Sequence, residues 1–152
     1  LRLSLGWIFL WAFLDKLFGL GFNTAPDKSW LAGVSPTAGF LANAIKGPFA
    51  SIYHNLAGSA AVDWLYMLGL LFVGLFLILG IFVRIAGFTG ALMLILFYTA
   101  GFLPPKNNPF LDEHIVYILV MIGLAVSNSG ACLGLGRWWS QTKLVQKRKI
   151  LQ

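Results

Sequence analysis

The stretch from Trp64 to Leu103 limits most strongly what this chain can fold into, because its forty residues include a single charge, Arg84. As one helix it would be roughly 60 Å long, about twice the thickness of a bilayer's hydrocarbon core. It must therefore fold back on itself, and Arg84 marks the turn. We predict two membrane spans, near residues 64–82 and 86–103.

The rest of the chain has the same character. Apolar residues make up 59% of the sequence and charged residues 11%, whereas soluble domains are nearer a quarter charged. A first span over 2–22 and a fourth over 113–135 complete an all-α, polytopic membrane protein, a four-helix bundle forming one domain over 1–152. A basic interfacial tail over 137–152 follows. The single cysteine, Cys132, excludes an intrachain disulfide.

The connection between the first two spans is predicted to hold two short amphipathic helices. Ser35-Pro36 is typical of an N-cap followed by proline in the first helical turn. Gly47-Pro48 then ends that helix and begins another. Such helices would lie on the membrane surface or cover one end of the bundle.

The charges predict the orientation of the bundle. Four spans place both termini on one side, and that side carries seven basic residues and no acidic ones. The positive-inside rule therefore places both termini in the cytoplasm and the protein in the cell membrane. The net charge of +6 follows from this topology and does not indicate nucleic-acid binding. We expect the basic tail to lie on anionic lipid.

Asp15 and Lys16 lie well inside the first apolar stretch. Asp15 is thirteen residues from Arg2, roughly 20 Å along a helix, and a charge at such a depth usually has a partner or a function. We expect Asp15 or Lys16 to pair across the bundle, and the favoured pair is Lys16 with Asp112 or Glu113. The alternative is that Lys16 snorkels to the interface and that the pair is structural.

The predicted topology gathers these residues with others at the outer ends of the spans. Asp63 begins the second span there, and Asp112, Glu113 and His114 begin the fourth. A cation, carboxylates and a histidine suit proton-coupled chemistry or an anion, and Tyr117 could add a hydroxyl. The alternative is an interfacial charge cluster with ordinary helix caps. Both histidines, His54 and His114, lie on this side, so neither haem nor a metal centre is predicted.

Several short motifs together resemble the DoxX family, and more closely the DoxD-type small subunit of thiosulfate:quinone oxidoreductase. The resemblance covers nearly the whole chain. Its motifs are Arg2, Lys16-Leu17, W-x-x-G-x-S-P-T-x-G-F from Trp30 to Phe40, Gly80-x-x-x-Arg84, Asn108-Pro109, Asp112-x-His114, Gly134-Leu135-Gly136 and Arg137-Trp138-Trp139.

This resemblance implies a membrane subunit of an electron-transfer system in which thiosulfate is oxidised to tetrathionate and quinone accepts the electrons. A second, DoxA-like subunit would be its partner, and association with further copies of itself is left open. If this activity holds, we expect catalytic roles for Lys16, Asp112 and His114, and from the outer polar cluster we expect substrate binding by Asp15, Lys16 and Tyr117. Lys16 would attract an anionic substrate or a quinone oxygen, and His114 with Asp112 would handle protons. The alternatives are a non-catalytic scaffold subunit and, less favoured, a small transporter.

Overall fold

The structure is a computed structural model that describes residues 1–101, 105, 110–127, 129–142 and 145–146. All regular secondary structure in these residues is helical, as the sequence predicts. Four longer helices form the body of the protein: α1 (Arg2–Phe18), α4 (Ala60–Leu79), α5 (Val83–Gly101) and α6 (Glu113–Val126). Three are short: α2 (Ala38–Asn43), α3 (Ala50–His54) and α7 (Gly136–Ser140).

Each of the four longer helices runs antiparallel to the one before it in the chain, and the four share one hydrophobic core. α1 packs on α4, α4 on α5, and α5 on α6. Small residues permit the close approaches: a Cβ on Gly74 would lie 2.5 Å from the Leu10 backbone nitrogen, and one on Gly87 would lie 2.8 Å from Cβ of Ala125. The core takes side chains from all four helices, including Phe9, Met67, Val73, Leu77, Leu94 and Met121. Close packing through small residues is typical of helices that associate in a bilayer.

Two helices in the described part of the chain, α4 and α5, are long and apolar enough to cross a membrane. The predicted spans over 2–22 and 113–135 are longer than the helices observed there, which contain 17 residues in α1 and 14 in α6. At about 1.5 Å per residue these helices are roughly 26 and 21 Å long, short of a hydrocarbon core of about 30 Å. Within the described residues, two helices rather than four are therefore long enough to span a membrane.

Each shortened helix ends for a local reason. α1 ends at Gly19, whose left-handed φ of 68° lets its N–H donate to the Asp15 carbonyl. The Trp30 N–H then donates to the Lys16 carbonyl at 2.9 Å, so the returning chain occupies the end of the helix. α6 ends at Ser127, and the Ser129 hydroxyl donates back to the Leu124 carbonyl at 3.0 Å. The helix thus ends at the start of the polar run after Val126, whereas the sequence predicts that the span continues through it to residue 135.

The turn between α4 and α5 also differs from the prediction. α4 ends at Gly80, which takes a left-handed φ of 77°, and α5 begins at Val83. Arg84 therefore lies in the first turn of α5 and does not mark the bend. The bend needs the positive φ of a glycine, and a charge supplies no such conformation.

The connection between α1 and α4 contains the two predicted short helices and is held against the bundle. The Trp30 ring packs edge-on against Trp64, with 4.7 Å between ring centroids. The neighbouring Asp63, only 7% exposed, accepts hydrogen bonds from the hydroxyls of Ser35 and Thr37. Further along, the Tyr53 hydroxyl lies 2.7 Å from Oγ1 of Thr99 on α5. We call residues 35–56 the cover, because they lie over one end of the bundle.

Arg2 organises the opposite end. Its guanidinium donates to the carbonyls of Leu77 and Ile78 at the end of α4, and to those of Cys132 and Leu133 after α6. The Leu135 N–H donates to the Leu79 carbonyl at 2.8 Å and closes the same junction. We call this junction the Arg2 end.

Some predictions fall on residues that the structure does not describe. They concern the Lys106–Pro109 connection, including Asn108-Pro109, and the basic residues of the tail at 143 and 147–149. These stay predictions from the sequence.

Candidate functional site

A cleft of about 1020 Å³ runs between α4 and α5. Its walls are almost wholly apolar. The lining residues of α4 and of α5 recur mostly every three or four positions, so each set lies on one face of its helix. α4 supplies Val62, Leu65, Tyr66, Leu68, Gly69 and Phe72, while α5 supplies Thr89, Leu92, Met93, Leu96, Phe97 and Ala100. The cover closes one end with Pro36, Thr37, Phe40, Leu41, Tyr53 and Leu56. We call this cavity the α4–α5 cleft.

Lys16 and His114 both line the α4–α5 cleft, although they are nearly a hundred residues apart in the chain. The Lys16 ammonium lies 5.9 Å from the centroid of the Tyr66 ring, a distance suited to a cation–π contact. Tyr66 in turn packs edge-on against Phe97 of α5, with 5.8 Å between centroids. A positive charge therefore lies against an aromatic wall inside an apolar cavity.

The predicted ion pair of Lys16 with Asp112 or Glu113 is wrong: within the described residues, no carboxylate oxygen lies within 4 Å of the Lys16 nitrogen. The physical reason lies with Asp112, whose two oxygens already serve other groups. Glu113 is exposed and does not line the cleft.

Asp112 fixes the position of His114. One carboxylate oxygen accepts from the backbone N–H groups of His114 and Ile115, so Asp112 is the N-cap of α6, as the alternative of ordinary helix caps predicts. The other lies 2.8 Å from Nδ1 of the His114 ring. Both side chains are mostly buried, at 13% exposure for His114 and 16% for Asp112. A carboxylate at Nδ1 orients the imidazole, as in many proton-transfer sites.

The other predicted site residues lie elsewhere. Asp15 is 2% exposed and accepts from the backbone N–H groups of Phe22 and Asn23, at 3.2 and 3.0 Å. It thus caps the turn after α1. Tyr117 packs against the hydrophobic core, and neither residue lines the cleft.

Sequence analysis missed most of the walls of the cleft. Tyr66 and Gly69 on α4 and Met93 on α5 are among the wall residues that it missed. These residues lie in a strongly apolar stretch, where lipid contact and a cavity wall require the same side chains. The described residues contain no group of three or more histidine, cysteine or acidic side chains placed to hold a metal ion.

The fold and the cleft define an all-helical protein whose two longest helices suit a bilayer and flank an apolar cavity. The family profile for DoxX matches residues 1–103, well over half of the chain, and the chain belongs to the DoxX family. The matched region contains α1 to α5 with Lys16, while α6 and His114 lie beyond it. Comparisons with curated proteins and with solved structures gave no match. Family membership and the apolar helices together indicate a membrane protein, and the match does not extend to the DoxD subtype.

Proposed function

We propose that this protein is the membrane subunit of a quinone-linked oxidoreductase and that the α4–α5 cleft binds the quinone. The observation that carries the proposal is that one cation, Lys16, and one carboxylate-oriented histidine, His114, line the same largely apolar cavity. Ligand sites commonly have this composition: apolar walls with a few convergent polar groups. DoxX membership is compatible with an association with oxidoreductases.

The cleft suits a quinone in volume and in chemistry. About 1020 Å³ is at the upper end of the usual range for small-molecule pockets, so a ring with part of a tail fits. A quinone accepts two electrons and two protons to become a quinol. Lys16 would donate a hydrogen bond to a quinone oxygen. His114, oriented by Asp112, would deliver protons to the quinone oxygens as the ring is reduced.

The electrons would come from outside this chain. The resemblance to the thiosulfate enzyme suggests a small sulfur anion as donor, with two thiosulfates yielding one tetrathionate and two electrons. A partner subunit would carry out that oxidation. The membrane subunit then needs a quinone site and a contact with its partner, but no metal site of its own.

The test replaces the two polar residues without changing bulk. In native membranes containing the whole complex, His114→Phe should lower the rate of quinone reduction about 100-fold, since proton transfer by a positioned side chain contributes about that much or more. Lys16→Met should lower it by about the same factor, because it removes a hydrogen-bond donor to the oxygen on which charge develops. The complex should still assemble. Lys28→Met and Glu113→Gln are matched controls, because both residues are exposed and outside the cleft, and should keep the full rate. Normal turnover in both cleft variants would contradict the proposal.

A second candidate function is a non-catalytic scaffold. Asp15 and Asp63 favour it, because each buried carboxylate is used to hold the chain: Asp15 holds backbone amides and Asp63 holds the hydroxyls of the cover. If Lys16 and His114 also serve only the fold, their substitution should reduce the amount of assembled complex in proportion to any lost activity. Intact assembly with lost activity would exclude the scaffold.

A further inference from the structure

The α4–α5 cleft is flanked by side chains that face outward from the bundle. Leu65 and Leu68 on α4 are 76% and 53% exposed, and Leu92 and Leu96 on α5 are 56% and 47% exposed, yet all four also line the cleft. α4 and α5 are the helices suited to a bilayer, so these leucines form a rim that faces lipid. The long side of the cleft therefore opens toward the hydrocarbon.

The end of the cleft nearest Asp63 is covered. The cover lies over it with Thr37, Phe40 and Tyr53. It is held by Asp63 on α4 and by the Tyr53–Thr99 contact on α5. Among the described residues, a ligand arriving from water at this end would have to displace these contacts, whereas one arriving from lipid meets the leucine rim.

The cleft is long enough for more than a headgroup. Its residues on α4 run from Val62 to Phe72, which is roughly 15 Å along the helix. Between these limits, Gly69 and Met93 meet at the wall of the cleft: a Cβ on Gly69 would lie 2.8 Å from the Met93 sulfur, so a larger side chain there would push Met93 aside. Lys16, over Tyr66, lies toward the covered end. The positive charge of Lys16 thus lies toward the covered end of the cavity, and Gly69 lies further from that end.

We infer that the cleft takes a tailed quinone from the bilayer through the opening between α4 and α5, with its head at Lys16 and its tail passing Gly69. This inference rests on the proposed function and specifies the ligand and its route. It also assigns Lys16 to the lipid-borne ligand. A small, strongly hydrated sulfur anion would gain nothing from the apolar walls and would lose its hydration. Its site would then lie on the partner subunit.

The test separates head from tail with two probes, a decyl-tailed benzoquinone and the same ring without a tail. The full chain is placed in phosphatidylcholine nanodiscs, and binding is followed by quenching of tryptophan fluorescence. Lys16→Met should weaken both probes. Gly69→Leu should weaken the decyl probe about tenfold and leave the tailless probe unchanged, because the added side chain and the Met93 thioether that it displaces take up the tail's path.

Gly123→Leu is the matched control. Gly123 is also a glycine inside a helix, but nothing lies within 4 Å of where its Cβ would be, so neither probe should be affected. If Gly69→Leu does not fold, Gly69→Ala replaces it. That smaller side chain meets only the flexible Met93 thioether and should weaken the decyl probe in the same direction.

Three other results would each contradict a particular part of the inference or of the proposed function. If Gly69→Leu leaves decyl-probe binding unchanged while Lys16→Met weakens both probes, the tail route is wrong and the quinone site stands. If thiosulfate displaces the decyl probe from the wild type but not from Lys16→Met, the cleft is an anion site and the inference is wrong. If neither probe binds to the wild type, the proposed function itself fails.

Discussion

The two ends of the bundle each hold a basic residue of α1, and they surround it in opposite ways. Arg2 is 6% exposed and donates to four backbone carbonyls from two separate parts of the chain. Lys16 lines the α4–α5 cleft and lies against the Tyr66 ring, with no carboxylate within 4 Å in the part of the chain that the structure describes. Arg2 holds the structure together, whereas Lys16 faces a space that a ligand can fill.

The glycines show the same contrast. At the Arg2 end, a Cβ on Gly134 would lie 2.7 Å from the Leu79 carbonyl oxygen and 3.0 Å from the Arg2 guanidinium, so backbone and charge leave no room. At the cleft, a Cβ on Gly69 meets only the flexible end of Met93. A small residue beside fixed backbone serves packing, while one beside a movable side chain leaves adjustable space. The comparison indicates a rigid end and an end that can accommodate a ligand.

The largest expected effect is all-or-none and concerns which side of the membrane each end faces. Lys28 follows α1 at the covered end, Gln146 follows α7, and both are exposed. Cysteines at these positions should label from opposite sides with an impermeant thiol reagent. The exposed Cys132 is first replaced by serine to remove background labelling. Labelling of both from the same side would contradict the antiparallel membrane topology and the cytoplasmic termini predicted from the charges.

Arg2→Met should cause the largest loss of stability. It leaves carbonyls of Leu77 and Cys132 without their donor and should lower the free energy of unfolding by about 3–5 kcal/mol. Arg2→Lys should recover part of this loss, since an ammonium cannot reproduce the guanidinium fork. Thermal unfolding in detergent measures both changes. The exposed Arg137 provides the control, and an equal effect of Arg137→Met would show that charge alone matters.

Three glycine-to-alanine substitutions should change the free energy of unfolding by intermediate amounts, and the size of each change should follow how tightly that glycine is packed. Gly74→Ala places a methyl group against the Leu10 backbone and should cost about 1–3 kcal/mol. Gly123→Ala meets nothing within 4 Å and should stabilise the protein by about 0.5–1 kcal/mol, since alanine favours a helix. Gly69→Ala should fall between them. A loss at Gly69 as large as that at Gly74 would mean that the cleft wall is as rigid as the core.

Much of the architecture could be predicted from the sequence because it follows from local chemistry. The all-α class, the two apolar helices that fold back, the short helices of the cover and the Asp112 cap each depend on a run of neighbouring residues. Helix ends were harder. α1 stops where Gly19 takes a positive φ and Trp30 returns to the Lys16 carbonyl, and the second contact depends on tertiary structure.

The candidate site shows the same division between features that follow from neighbouring residues and features that depend on tertiary structure. Sequence analysis selected Lys16 and His114, because ionisable residues are conspicuous in apolar stretches, and both line the cleft. It gave Lys16 the wrong partner, since Asp112 is already engaged by His114 and by the start of α6. It treated Arg2 only as one of the seven basic residues on the cytoplasmic side and as a family motif. The four carbonyls that Arg2 contacts carry no signature in their side chains, so only the structure reveals them.

The smallest expected effect is that of Lys16→Met on stability. Methionine keeps the length of the side chain and its contact with Tyr66, so the loss should be about the value of one cation–π contact, 0.5–1 kcal/mol. The change should therefore leave the unfolding temperature close to that of the Lys28→Met control while lowering the rate of quinone reduction about 100-fold. A loss as large as that of Arg2→Met would mean that Lys16 also holds the bundle together. The contrast between the two ends would then disappear, and a scaffold would be the better account of the protein. A stable, assembled and inactive variant is the result that only a ligand-binding Lys16 produces.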